Sequence, residues 1–376
     1  MGPGPLTVRV VAFLHVPKSP YGAVRMGYGR IRTALESRGH TLDIMTPDDL
    51  PGVRGLNARL HVLAFPFAIA WWLWRRRSCY DLAVFHSYAG WVFNLRKRGM
   101  RTITAFHGLE TLEYAALMEE RRGQGQSLSW RYRLTYGRLM NAWLGLSCRR
   151  SDRVLCLNSD EAREFVTRGW APAGRITRIT HGVPPDSFVN DRTYPDRAVR
   201  LLVVSQWLER KGIRYIAGAF TALVREGRDV HLVCAGTRAD DTTVLAAFPE
   251  DVRARVVNLA EAPHHELAAQ YRSADVYLHA SLLEGLSRAQ TEAMAAALPI
   301  VTTRCGAAID FLVDGDSCLL VPMRDSHALA AATGRLLDDR ALRERLGRAA
   351  HAIATREMHL QRTLDYLVDT YEAAVR

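Results

Sequence analysis

The 376-residue chain is short of several things, and each shortage removes a class of function. Its six cysteines, Cys79, Cys148, Cys156, Cys234, Cys305 and Cys318, are scattered without a CxxC pair or a histidine-rich neighbour. That pattern predicts reduced thiols, no disulfide framework and no zinc site. No Asp-x-Asp stands in a metal-binding context. The longest apolar run, residues 60–74, has 15 residues and includes His61 and Pro66, short of the roughly 20 that span a bilayer. The opening MGPGPLTVRVVAFLH is interrupted by Arg9 and carries no cleavage pattern, so no secretion signal is read and a cytoplasmic protein is expected. Gly22, Gly27 and Gly29 do not fit the spaced dinucleotide fingerprint, which disfavours a nicotinamide cofactor.

What is present is a length sufficient for two domains, each with its own core, and an uneven charge. The net +11 divides at Asn190 into 27 Lys and Arg against 14 Asp and Glu before it, a net +13, and 23 against 25 after it, a net −2. An anionic partner is therefore expected at the N-terminal half. The apolar run at 60–74 lies between Arg59 and Arg75, Arg76 and Arg77. Most of it reads as buried helix, with Trp71, Trp72, Trp74 and the arginines set for an anionic membrane surface. A nucleic-acid partner would use the same basic half, but it would leave the acidic and lysine motifs of the second half without a purpose, and none is expected.

Periodicity and punctuation predict alternating strands and helices throughout. A strand at 8–15, a Pro- and Gly-rich loop at 16–27, a helix at 29–37 and a strand at 41–45 open the chain. Further strands are expected at 81–86, 101–106 and 154–157, and a long arginine-rich helix at 128–150. A polar stretch at 190–197 reads as a linker. Strands at 201–204, 230–235, 255–259, 276–279 and 300–303 and helices at 213–225 and 266–272 follow. The domains predicted are 1–190, 191–356 and a closing helix at 357–376.

The stretch that the rest serves is 280–303, ASLLEGLSRAQTEAMAAALPIVTT. Ser287 is a plausible N-cap, and residues 288–297 form an alanine-rich helix stopped by Pro299. Such a helix start offers backbone N–H groups and partial positive charge, and Gly285 allows close approach, so Gly285, Leu286, Ser287 and Arg288 suit a phosphate. Glu284 and Glu292 are then acceptors for a partner rich in hydroxyls.

Glu284 and Glu292 are separated by seven residues, followed by Leu-Pro-Ile-Val-Thr-Thr, then Asp314-Gly315 and Leu319-Leu320-Val321-Pro322. In this order the pieces resemble the retaining glycosyltransferases of family 4. The resemblance implies an α/β fold of GT-B type: two Rossmann-like parallel-sheet domains facing a cleft, with a C-terminal helix crossing back to the first domain. It implies transfer of a sugar from a nucleoside-diphosphate sugar, UDP or GDP, to a hydroxyl acceptor with retained configuration and no metal. In that family Glu284 would hold sugar hydroxyls, Glu292 the ribose diol and residues 260–263 the base. A Gly-Arg-Leu, three residues, then Lys-Gly element grips the diphosphate. Lys211 and Gly212 match it, but Gln206 stands where the arginine is expected, which leaves Arg210 or Arg288 to supply that cation. His107, in the TxxHG-like context after the strand at 101–106, resembles the histidine that approaches the donor sugar. Gly27 and Gly29 would correspond to the first glycine loop. The acceptor is read as a membrane- or lipid-linked glycan precursor; a soluble metabolite acceptor and a sugar-nucleotide epimerase are the alternatives.

Overall fold

A computed structural model describes residues 7–15, 23–56, 58–197 and 199–376. The chain forms two compact units, Met1–Ile179 with Gln361–Arg376, and Thr180–Leu360.

The first unit is built on six parallel strands, β1 (Arg9–Phe13), β2 (Thr41–Met45), β3 (Leu82–His86), β4 (Arg101–Ala105), β5 (Arg153–Cys156) and β6 (Ile176–Arg178), in the order β2-β1-β3-β4-β5-β6. The central strands read VVAF and LAVFH and are buried along their length, as a sheet covered by helices on both faces requires. Successive crossovers run to one side from β1 and to the other from β3. The loops that leave the carboxyl ends of β1 and β3 therefore diverge, which is where open α/β sheets accept ligands.

The helix after β1 spans Ala23–Ser37, so it begins earlier than the sequence predicts. Gly27 and Gly29, expected in a phosphate-facing loop, are interior helical residues, their N–H groups committed to the helix; Gly22 lies outside the described residues. Glycine costs a helix roughly 1 kcal/mol relative to alanine. Here burial of Tyr28 and Leu35 in the core with Val8, Val10 and Leu82 overrides that cost. Residues 58–76 form one helix, Ala58–Arg76, with Pro66 inside it. Trp72 is 8% exposed and packs edge-on against Phe13 at 5.8 Å, and the Trp74 indole donates to the Arg96 carbonyl at 3.2 Å. Of the three tryptophans expected at a surface, only Trp71 is among the exposed large apolar residues. The segment expected as one long helix at 128–150 contains a π-helical stretch, Arg133–Leu139, before the α-helix Met140–Arg150.

The second unit repeats the plan with β7 (Arg200–Val204), β8 (His231–Ala235), β9 (Val256–Leu259), β10 (Val276–His279), β11 (Ile300–Thr303) and β12 (Leu319–Val321), all parallel, in the order β12-β11-β10-β7-β8-β9. Its divergence point lies between β7 and β10. Residues 190–197, expected as a linker, are packed on this unit: the Tyr194 hydroxyl donates to the Ala297 carbonyl at 2.7 Å, and Arg192 donates to the carbonyls of Tyr271 and Ala296 at 3.1 and 3.0 Å.

The final helix, Leu360–Val375, belongs almost wholly to the first unit. Leu367, Val368, Tyr371 and Ala374 enter its core, Arg38 pairs with Asp365 at 3.2 Å, and His40 Nε2 meets Glu372 at 3.0 Å. No helix among the described residues is long and apolar enough to cross a membrane.

Candidate active site

In the second unit the loop after β7 closes through a short helical turn, Glu209–Lys211, onto Gly212. Gly212 sits at φ 70, and a Cβ there would lie 2.0 Å from the Ala280 carbonyl oxygen, so only glycine lets this loop rest on the end of β10. The Leu282 N–H donates to the Arg210 carbonyl at 2.8 Å, which fixes the two loops side by side. Their side chains then converge. Lys211 Nζ donates to Glu284 Oε1, Ser281 Oγ donates to the same oxygen at 3.0 Å, and an Arg210 guanidinium nitrogen lies 3.8 Å from Glu284 Oε2.

The side chains of Lys211 and Glu284 are 14% and 11% exposed. Burial pushes the Glu284 carboxyl up, but its cationic neighbours, Lys211 first and Arg210 with it, outweigh burial and hold it below the usual carboxylate range. His279 is buried with Nε2 3.9 Å from Glu284 Oε1, and burial lowers its pKa to about 4. It is neutral at pH 7, and its Nε2 has no hydrogen-bond partner. The group is thus a carboxylate with one close and one longer-range cation.

The helix Arg288–Ala295 begins beside this group, capped by Ser287, whose hydroxyl accepts from the Gln290 N–H at 3.4 Å. Gln290 is fully buried and anchors the helix start to the sheet. Its amide donates to Thr302 Oγ1 at 2.9 Å and accepts from the Ala307 N–H at 2.8 Å, and His279 Nδ1 meets Thr302 Oγ1 at 3.2 Å. Gly306, at φ 60, is pressed against that start: a Cβ would lie 2.8 Å from Gln290 Oε1 and 3.1 Å from the Ser287 nitrogen. Gln206, half-buried after β7, accepts at its carbonyl from the Leu208 N–H at 2.9 Å.

Glu292 stands further along the helix. It lines a shallow pocket with Ser187, Val189, Ala268, Tyr271 and Arg272. The Tyr271 hydroxyl donates to the Ala289 carbonyl at 3.1 Å, and after burial the neighbouring Glu292 charge raises its pKa. Glu284 and Glu292 are both within electrostatic reach of the buried Tyr277.

The carboxyl ends of β1, β3 and β4 in the first unit gather three histidines, His86 as the last residue of β3 and His15 and His107 in the loops after β1 and β4. His86 Nδ1 and His15 Nδ1 share a hydrogen bond at 3.3 Å, and the His86 ring stacks on His107 with centroids 4.1 Å apart. Tyr28 turns its edge to both. Burial, then the neighbouring imidazoles, holds His86 well below the usual histidine range, and burial lowers His15 to about 4. Ser87, at φ 57, donates to Glu110, whose carboxyl burial raises to about 7.

Among the residues expected at the site, Arg210, Lys211 and Glu284 form one contact group and Gly285 to Arg288 continue from it. Glu292 opens on its own pocket in the same unit, and His107 belongs to the first unit. His279, Ser281 and Gly306 were not anticipated. Gly306 alone carried a signal, a glycine following a strand at the edge where ligands bind. His279 reads from sequence as one more strand residue.

The model of the family described as Glycosyltransferase Family 4 matches residues 28–187, and that described as Glycosyl transferases group 1 matches residues 198–339. An MMP alpha-(1->4)-mannosyltransferase of Mycolicibacterium hassiacum is 39% identical over 245 residues, 63% of this chain and 59% of that protein. The chain spans between half and two thirds of the length of the curated relatives it matches first. Among solved structures, a sucrose-phosphate synthase from Thermosynechococcus elongatus aligns with a TM-score of 0.75 at 19% identity, covering 97% of this chain and 98% of its own. HepE of Anabaena, in complex with UDP and glucose, aligns with a TM-score of 0.69 at 16% identity, covering 97% and 99%. At these identities the structures show the shared GT-B fold.

Proposed function

Because the chain belongs to the group 1 glycosyltransferases of family 4, we propose that it is a retaining enzyme that moves a sugar from a nucleoside-diphosphate sugar to a hydroxyl acceptor without a metal ion. The observation that carries this reading is the buried Lys211–Glu284 pair beside the start of the helix Arg288–Ala295, at the divergence point of the second sheet. A cation and a helix start converge there with a carboxylate that accepts from sugar hydroxyls, and a nucleotide sugar needs all three.

As the bond between C1 and the phosphate oxygen breaks, C1 gains oxocarbenium character and negative charge grows on the departing diphosphate. Lys211 meets that charge, with Arg210 as the cation that Gln206 does not provide. Backbone N–H groups at Leu286 and Ser287 add to it. Glu284 accepts from the sugar hydroxyls and Glu292 from the ribose diol, beside the Tyr271 hydroxyl. The acceptor oxygen bonds to C1 on the face the phosphate leaves, and its proton passes to the departing phosphate oxygen, which preserves the anomeric configuration. Both matched family models describe transferases, which favours transfer over epimerisation.

HepE was solved with UDP and glucose, so UDP-sugars come first in a test. The protein is incubated with UDP- and GDP-sugars and candidate lipid-linked and soluble acceptors in EDTA. Acceptor-dependent release of nucleoside diphosphate, with an α-linked product from an α-donor by NMR, is expected. A strict need for Mn²⁺, or an inverted product, contradicts the reading.

A further inference from the structure

The helix Ala58–Arg76 is apolar on both faces, which normally means burial all round, yet one face is open. Phe65, Ile69 and Leu73 fill the core of the first unit, while Leu60, Leu63, Phe67 and Trp71 are 50%, 49%, 57% and 44% exposed. Spacings of three and four place these four on one stripe. The stripe continues sideways, because Phe67 meets Trp91 edge to face at 5.5 Å and Leu95, on the same short helix as Trp91, is 48% exposed. It ends in cations: Arg75 lies over the Trp71 ring at 4.1 Å, and Arg76 and Arg77 are exposed beside it.

Charge decides what fits this face. Between Asp49 and Glu110 the sequence contains a single acid, Asp81, and it is already paired with Arg9 at 2.8 Å. Residues 121–151 carry seven arginines and no acid. A second copy of the same face would bring like charges together, which opposes self-association. Nucleic acid would match the charge but not a stripe of leucine and phenylalanine. A surface that combines anionic phosphates with an apolar interior just beneath them matches both.

We propose that this face docks the first unit on a bilayer rich in anionic phospholipid, with Leu63, Phe67 and Trp71 entering the headgroup boundary and Arg75 and Arg76 on the phosphates. The helix lies in the plane of the interface. Its position differs from the one read in the sequence, because Trp72 is core and Trp71, Phe67 and Leu63 do the inserting. Docking is a property of this surface alone, so its test reads binding and is separate from any test of glycosyl transfer.

The full chain is sedimented with phosphatidylglycerol-containing vesicles and with pure phosphatidylcholine vesicles at low and high salt. The anionic vesicles should pellet the protein at low salt, and added salt should release it. Phe67→Ser/Trp71→Ser should lower vesicle affinity by tenfold or more and lower Tm far less than Trp72→Ala, since both side chains are half exposed, and each of Arg75→Ala and Arg76→Ala should lower vesicle affinity about fivefold. Trp72→Ala, which empties the core, serves as the control that lowers Tm. Failure of wild type to bind anionic vesicles at low salt overturns the proposal. So does unchanged binding by Phe67→Ser/Trp71→Ser, or a dimer in sedimentation velocity that the same variant abolishes.

Discussion

The ammonium of Lys211 rests on the Oε1 atom of Glu284, and both side chains are largely out of water. Removing one partner leaves a buried charge with less compensation, whereas removing both leaves neutral groups. Lys211→Met is expected to cost about 3 kcal/mol in urea unfolding, the low end for a buried pair because Arg210 and Ser281 remain on the carboxylate. Lys211→Met/Glu284→Gln should be more stable than Lys211→Met alone, with a coupling of about 1–3 kcal/mol. Additive single effects would show that Arg210 and Ser281 already satisfy the carboxylate.

Gly212 tests the docking of the two loops. Gly227 has a similar backbone, φ 80, and a methyl added there would meet nothing within 4 Å, while a methyl on Gly212 meets the Ala280 carbonyl. Gly227→Ala therefore reports the left-handed penalty alone, about 1–2 kcal/mol. Gly212→Ala should cost clearly more and should weaken nucleotide binding by displacing Lys211. Equal losses in stability, with donor affinity retained in Gly212→Ala, would show that the loop does not need this approach.

Buried histidines lose stability as the pH falls, whereas the buried Glu110 carboxyl, raised to about 7, gains it over the same interval, so each is read by its own variant. His279 is lowered from 6.5 to about 4. The unfolded chain therefore binds a proton that the folded chain does not between these values, and stability falls as pH drops from about 6.5 toward 4. Each such group contributes a slope of about 1.4 kcal/mol per pH unit in that window. His86, lowered by burial and by His107 and His15, acts in the same direction. Glu284, held below 4.5, loses its contribution only at lower pH. His279→Gln should flatten the denaturation slope between pH 6 and pH 4.5 by about one proton; an unchanged slope would mean that His279 gains its proton in the folded state.

Much of the second unit was legible from sequence. The strands Val276–His279 and Ile300–Thr303 and the helix Ile213–Arg225 fall where local pattern puts them, because apolar runs and glycine or proline stops leave few alternatives there. Ser287 caps its helix as its residue type implies. Gly27 and Gly29 misled because their low helix propensity is a local signal, while burial of Tyr28 and Leu35 is a tertiary one. The stack of His86 on His107 joins the end of one strand to the loop after another, and no spacing rule reports it. Residues 190–197 look like a linker by composition, but Tyr194 and Arg192 bind carbonyls far along the chain. The outward stripe on Ala58–Arg76 was hidden because both faces of that helix are apolar, so sequence did not say which one the core would take.

A Glu292 variant tests whether donor binding can be separated from chemistry. Glu292 stands apart from the Lys211–Glu284 group and lies beside the Tyr271 hydroxyl, so Glu292→Ala should raise donor KM, by roughly tenfold for the loss of charge-assisted bonds worth about 1.5–3 kcal/mol, and leave kcat nearly intact. Tyr271→Phe should do the same more weakly. A fall in kcat at unchanged KM would assign Glu292 to the reacting end of the donor.

The central claim is that Lys211 and Glu284 receive the diphosphate and sugar of a nucleotide donor. Isothermal titration of UDP and GDP, in EDTA, into wild type and Lys211→Ala tests it most directly. The account predicts that wild type binds one of the two and that Lys211→Ala binds it at least about tenfold more weakly, the loss of one charge-assisted contact. Equal binding by the two proteins, or binding to wild type only when Mn²⁺ is added, would contradict it.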